Sequence, residues 1–355
     1  GRDVFSVYAE TNVPLLDTLN LNLAVRYDDY SDFGNTTTPR VSISWRPMES
    51  LLLRASYGEG FRAPDMQELY GNQSESFPPA IDIVGCNNGV APCTSTQYRA
   101  LFGGNPDLQP ETSEAWTAGV VWQATDDLSF DVSYYNIEFT NQISTITLGR
   151  MFQQEADGFA NTVNRNSDGT VDFVQLTQLN LSGVRTDGID VGVEYNLATD
   201  GAGVFGFRLD YSHILKYEQE AVPGDGFADV LDTHGSPDAR ASWQVSWSLG
   251  DFLVGYTGQY IAENGAADEI CTLDGRGFTD CSTDGSTLVT NGATTYHDLQ
   301  FAWNAPWDAQ IAVGCRNCAD ENGPINGLVY GWQPIDRNLY SVEGRIAYLR
   351  YKQNF

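Results

Sequence analysis

Three histidines, six cysteines, one run of alternating oxygen donors and two aromatic-rich segments are the groups in this chain that could do chemistry. Nucleophilic catalysis requires a nucleophile, a base and an orienting group in one layer. His213 lies at a strand end, His234 in a loop and His297 near a strand start, and none has an obvious serine partner. Each reads as a surface or interface histidine, and no enzyme activity is expected. The cysteines fall into three close pairs, Cys86/Cys93, Cys271/Cys281 and Cys315/Cys318, each in or beside a Gly/Asp/Asn-rich stretch. Local pairing predicts three short disulfides and an oxidising compartment. The rival is zinc, since Cys315-x-x-Cys318 has ligand spacing, but such a site requires about two further ligands and no second CxxC exists.

The stretch Asn164, Asn166, Asp168, Gly169 and Asp172 has the alternating oxygens of a calcium loop. Its twelfth position is Gln175 in place of a bidentate Glu, and an Asn-Ser-Asp-Gly hairpin turn is the simpler reading. No bound metal and no cofactor are expected. Segment 62–111 holds Phe77, Tyr98 and Phe102 with Arg62 and Arg99, and segment 316–338 adds Tyr330 and Trp332. Aromatic faces beside a few polar groups suit a siderophore, where rings meet catecholate or hydroxamate edges, and equally suit stacked sugars. The competing reading is that these residues pack the loops onto one another.

Whatever these groups do, β-strands position them. No apolar run reaches the ~18 residues a membrane helix requires, so a helical membrane protein is excluded. Apolar and polar residues instead alternate: Leu19, Leu21, Leu23, Val25 and Tyr27 interleave with Asn20, Asn22, Ala24, Arg26 and Asp28. Such period-two segments recur near 4–12, 18–30, 37–46, 51–61, 112–123, 127–140, 184–198, 203–217, 238–249, 251–262, 294–304, 308–315 and 339–352, about thirteen strands. A strand with one face in lipid and one in water has this pattern. A soluble sandwich alternates too, but here nearly every polar face carries Arg, Asp, Asn, Gly or Ser, as a wet lumen would.

The connections also alternate. Short links fall at 13–17, 47–50, 124–126, 199–202, 250 and 305–307, and long ones at 31–36, 62–111, 141–183, 218–237, 263–293 and 316–338. Outer-membrane barrels pair short periplasmic turns with long external loops. Trp45, Trp122, Tyr195, Trp247 and Trp303 all precede short turns and would form the periplasmic aromatic girdle. Net charge is −28, from 47 acidic and 19 basic side chains, which argues against nucleic-acid binding. It reads first as a solvated acidic surface, or as loops that attract cationic ligands. Bacterial single-chain barrels have even strand numbers. An odd count ending in the periplasm therefore predicts that an N-terminal part of the barrel is missing from this chain.

Several stretches resemble the TonB-dependent receptors of Gram-negative outer membranes. Residues 53–65, LRASYGEGFRAPD, followed by Glu68-Leu69-Tyr70, are similar to that family's strand and loop around GFRAP and EL. Residues 104–113, GNPDLQPETS, resemble its NPDLKPETS re-entry segment, and 184–194, VRTDGIDVGVE, resemble its re-entry after the next loop. The end, 344–355, resembles its closing strand with the terminal Phe355; Gln353 interrupts the apolar phase there, which a bulge or strand end would explain. Cys315 to Cys318 stands in place of the family's NLFD turn.

The resemblance implies that residues 1–355 are the C-terminal part of an all-β, transmembrane, antiparallel barrel of 22 strands, its plug domain absent from this chain. It further implies a bacterial outer-membrane receptor that captures a small-molecule ligand and imports it by plug movement driven through TonB. The partners expected are outer-membrane lipid, the plug, the remaining strands and the TonB complex, with no nucleic acid. Iron–siderophore is the first ligand expected, ahead of an oligosaccharide or cobalamin. A passive porin or a surface adhesin is the alternative.

Overall fold

The computed structural model describes residues 1–158, 162–220, 226–233, 235–265, 290–325 and 335–353. Thirteen long strands form one antiparallel sheet whose spatial order follows chain order. They are β1 (Val4–Leu16), β2 (Leu19–Tyr30), β3 (Gly34–Met48), β4 (Leu51–Arg62), β5 (Glu111–Thr125), β6 (Leu128–Ser144) and β7 (Leu179–Thr199), then β8 (Gly203–Glu220), β9 (Ala239–Leu249), β10 (Phe252–Ile261), β11 (Thr294–Ala305), β12 (Ala309–Arg316) and β13 (Ile346–Gln353). A two-residue strand, Ala228–Asp229, adds to β8. Among the described residues the sheet does not close, and β1 and β13 are its two edges.

Register sorts the side chains as the alternation predicts. One lateral row runs Leu19, Trp45, Leu53, Val120, Val132, Val191, Tyr211 across seven strands. Many of the outward apolar residues, among them Leu23, Val41, Val120, Val132, Phe207, Phe301 and Leu349, are exposed. Soluble monomers rarely leave apolar patches above a few hundred Å2 uncovered, so a face this extensive requires an apolar solvent, as in a bilayer-spanning barrel. The opposite face carries Arg54 on Asp131 at 2.9 Å, Arg208 on Asp210 at 2.8 Å and Ser212 donating to Asp190 at 2.6 Å. No helix among the described residues is long and apolar enough to cross a membrane.

Several boundaries differ from expectation, β1 running on to Leu16 and β7 starting at Leu179 among them, and two have a visible cause. The connection expected as a long loop over 31–36 is a three-residue turn at 31–33, because Gly34, at φ +97°, lets β3 begin there. Arg2 holds that turn, pairing with Asp32 at 2.8 Å and donating to the Pro64 carbonyl at 2.6 Å. The last strand starts at Ile346 and not near 339, because Leu339 and Tyr340 pack against Ile261 and Tyr296 in a small outer cluster. Gln353 stays in register with Ala309 at the strand end, and its amide donates to the Trp307 carbonyl at 3.0 Å.

The larger departure lies in the connections after β4 and β6. They contain three short helices, α1 (Met66–Tyr70), α2 (Ile83–Asn87) and α3 (Leu148–Ala156). They also build a second sheet ordered Val163–Arg165, Val171–Thr177, Ala100–Gly103, Ser74–Ser76. Its central pair is parallel and joins the two connections, Val174 to Ala100 through Thr177 to Gly103.

Candidate functional site: the outer loop module

The module grows from a hinge of fixed geometry at the top of β4 and β5. Arg62 makes two bonds to Glu111, at 2.6 and 2.7 Å, and two to Glu68, at 3.1 and 3.0 Å. Glu111 also accepts from the Ile143 amide at 2.7 Å, tying β6 to the same point. Glu68 serves α1 as well: its carboxylate accepts from the Asp65 amide while Asp65 accepts from the amides of Gln67 and Glu68, a reciprocal capping box. The second motif then lies against α1. Gly104 donates to the Gly71 carbonyl at 3.1 Å and Asn105 to the Glu68 carbonyl at 2.8 Å, with Leu69 and Leu108 buried.

Backbone meets backbone at Gly104. A Cβ there would lie 2.5 Å from the Gly71 nitrogen and 2.7 Å from the Leu69 carbonyl carbon and oxygen. Gly104→Ala is expected to destabilise the module by roughly 1–3 kcal/mol, the usual cost of overpacking. Urea-dependent proteolysis of the outer loops measures it, and an unchanged midpoint would contradict the contact.

Above the hinge the module has its own core. Ala80, Ala100, Ile146, Leu148, Met151, Phe152, Val174 and Leu176 form a buried cluster, with Tyr98, Phe102, Val163, Val171 and Leu179 packed on it. Beside it Arg165 uses all five guanidinium donors: to Glu155 at 2.8 and 2.7 Å, to Asp82 at 2.8 and 2.6 Å, and to the Gly169 carbonyl at 2.9 Å. Glu155 and then Asp82 hold the guanidinium pKa above its already high usual range. Asp82 is fully buried and also caps α2 through the Gly85 amide. Cys86 of α2 is disulfide-bonded to Cys93, with Cα atoms 5.0 Å apart.

The loop residues singled out from the sequence divide within this frame. Tyr98 meets Phe152 edge-on at 5.0 Å and Phe102 packs on the core, so both join the two connections. Arg99 is paired with Glu75 at 2.6 Å and lies over the Phe173 ring. Arg62 belongs to the hinge, and Phe77 is 53% exposed. Tyr330, Trp332, His234, Cys271 and Cys281 lie outside the described residues. Arg165, Asp82, Glu155 and Phe152 are not among the residues expected. Their signal was the helical spacing of Leu148, Met151 and Phe152 after Thr147, whose side chain caps α3.

Asn164 to Asp172 includes the tip of a hairpin. Asn166 and Thr170 bond across it, Gly169 sits at φ +88°, and the Thr170 hydroxyl and amide hold the Asp168 carboxyl below its usual range. The register puts His213 and His297 on the outward face, opposite Ile189 and Gly258, and His297 Nδ1 is 2.8 Å from the Tyr256 hydroxyl. Trp45, Trp122, Tyr195, Trp247 and Trp303 pair with Leu19, Leu51, Leu128, Phe205 and Phe252, each beside a short turn. Cys315 and Cys318 form a disulfide at the outer end of β12.

A second outer cluster covers β10 and β11. Asn264 and Asn291 exchange backbone bonds at 3.0 and 2.8 Å, and Asn264 donates its amide to the Tyr340 hydroxyl at 2.7 Å. All three are nearly completely buried, and burial raises the Tyr340 phenol pKa. Asn264→Ala strands buried polar partners and is expected to cost roughly 1–3 kcal/mol. Hydrogen exchange at the amides of 262–265 and 290–294 reads the loss, and unchanged protection would refute it.

A family model described as TonB dependent receptor-like, beta-barrel matches residues 1–318. A hemin receptor of Yersinia pestis is 37% identical over 274 residues, covering 66% of this chain and 34% of the relative. A hemin receptor of Yersinia enterocolitica is 28% identical over 265 residues, covering 66% and 35%. Among solved structures, the siderophore receptor PirA from Acinetobacter baumannii superposes with a TM-score of 0.69 at 15% identity, covering 100% of this chain and 46% of that one. A mutant ferric enterobactin receptor from Pseudomonas aeruginosa gives 0.69 at 16% identity, covering 99% and 44%. The chain thus spans about a third of the hemin receptors it matches, 34% and 35% of their lengths.

Proposed function

This chain belongs to the TonB-dependent receptor-like β-barrel family, and from that premise we propose that it forms the C-terminal part of an outer-membrane import receptor for a ferric siderophore. The observation that carries the reading is the outer module: two distant connections fused into one packed body on the rim of an amphipathic wall. A passive pore has no use for such a body, whereas a receptor needs a shaped, pre-organised surface to hold a scarce ligand. A plug and further strands complete the barrel, TonB drives the plug, and Trp45, Trp122, Tyr195, Trp247 and Trp303 sit at the periplasmic lipid boundary. The protein acts as a transporter and not as an enzyme.

The names of the Yersinia relatives favour hemin as a second reading. Haem iron takes an axial ligand such as His, Tyr, Met or Cys. Among the described residues His213 and His297 face outward and Cys86, Cys93, Cys315 and Cys318 are in disulfides, so the ligating types that the module exposes are Met66 and Tyr70 of α1. A siderophore fills the iron coordination sphere itself and asks only for a surface, which supports the first reading. A strain lacking the gene, complemented with the full-length receptor, is expected to take up iron from ferric siderophore and to stop when the proton gradient is collapsed. Uptake from hemin alone would sink the siderophore reading. Uptake that survives loss of the gradient would favour a passive pore.

A further inference from the structure

A cavity of about 740 Å3 lies between α1 and the short outer sheet. Gln67, Asn72, Gln178, Phe102 and the carboxylates of Asp65 and Glu68 line it, and its described wall contains no lysine or arginine. Both carboxylates are engaged, Asp65 in capping α1 and Glu68 with Arg62 and the Asp65 amide. The side-chain amides of Gln67, Asn72 and Gln178 have no hydrogen-bond partner among the described residues, so each offers donors and an acceptor to a guest.

The surroundings carry the same sign. Residues 63–110 and 145–178 hold nine acidic and three basic side chains. Of those bases, Arg99 is committed to Glu75, Arg165 to Asp82 and Glu155, and Arg150 is half-buried on α3. The cationic rim residue Arg62 is shared between Glu68 and Glu111. A multiply anionic guest would meet a like-signed field with no cation among the described residues of the cavity wall to offset its desolvation.

Ferric chelates differ in this respect. Three hydroxamates bring one negative charge each and neutralise iron(III), whereas three catecholates bring two each and leave a trianion. Resting on the siderophore reading above, we infer that this cavity binds an uncharged or cationic ferric hydroxamate and discriminates against a ferric tris-catecholate. The hydroxamate oxygens accept from the amides of Gln67, Asn72 and Gln178, and Phe102 covers the chelate's methylene spacers.

The test titrates the full-length receptor in detergent, by tryptophan fluorescence, with the iron(III) complexes of a synthetic trihydroxamate and a synthetic tris-catecholate. The trihydroxamate complex is expected to bind at least about tenfold more tightly, with the preference narrowing at high salt as the field is screened. Asn72→Ala combined with Gln178→Ala is expected to weaken trihydroxamate binding by about tenfold, with trypsin resistance of the outer loops as the check on folding. If that variant does not fold, Gln67→Lys provides the second measurement and is expected to raise tris-catecholate affinity. Equal or tighter binding of the tris-catecholate at low salt overturns the inference and leaves the siderophore reading standing. Unchanged affinities in folded variants remove the cavity as the site. Binding of hemin with neither chelate bound overturns both.

Discussion

Arg165→Ala costs the outer module roughly 3–5 kcal/mol, the range for breaking a buried ion pair from one side. The guanidinium is 17% exposed, while Asp82 is 0% and Glu155 14% exposed, so its removal strands two carboxylates in a poorly solvated place. It also releases the α2 cap from its anchor and separates two connections whose paired residues are 83 apart in the chain. Native-state hydrogen exchange is the measurement, with protection lost over 74–103 and 145–178 and retained in the strands of the large sheet. Neutralising the stranded acids in an Arg165→Met background (Asp82→Asn with Glu155→Gln) is expected to recover part of the loss, because the penalty lies in unpaired charge. A loss under about 1 kcal/mol, below what an exposed pair contributes at most, or one spread evenly into β1–β13, would contradict this account.

Phe152→Ala is the second large effect, at roughly 3–5 kcal/mol for a buried phenylalanine truncated in a packed core. Phe152 is 0% exposed, lies on the buried face of α3 and meets the Tyr98 ring from the other connection. The cavity left behind would be walled by Val174, Leu176 and Ala100, which sit on the parallel rungs and cannot collapse inward without breaking them. Phe152→Leu keeps most of the volume and is expected to cost less than half as much. Both variants should insert normally, since the lipid-facing rows are untouched. Heat-modified gel mobility of the barrel would stay the same while protease cleavage within 145–178 rises. Loss of the barrel itself in Phe152→Ala would show that the module is not a separate packing unit.

The wall of the molecule was legible because a strand between two solvents repeats every two residues. Leu19 to Tyr27 declares its faces without reference to any partner, and the short turns fix which neighbour it meets. The two local disulfides at Cys86/Cys93 and Cys315/Cys318 were legible for the same reason, since their partners are near in sequence. The outer module was not. Ser74–Ser76, Ala100–Gly103 and Val163–Arg165 are too short to show a period, and each is stable only through a residue far along the chain. Tyr98 and Phe102 illustrate the ambiguity: aromatic side chains in a long loop suit a ligand and a core equally, and only the position of Phe152 separates the two. The resemblance around GFRAP and NPDL marked a loop's departure and its re-entry, yet that the two segments meet, and the physical reason for the glycine, appear only when Gly104 is seen against Gly71 and Leu69.

The parallel ladder that joins Ala100–Gly103 to Val174–Thr177 has a consequence for the order of assembly. Non-local pairing is slow because chain entropy is lost before the contacts reward it. These rungs cannot align until β4, β5, β6 and β7 already stand side by side and hold both loop bases in place. The module is therefore expected to form after these four strands have paired. An antibody raised against its folded surface would count chains whose loops have finished folding and pass over those that have not.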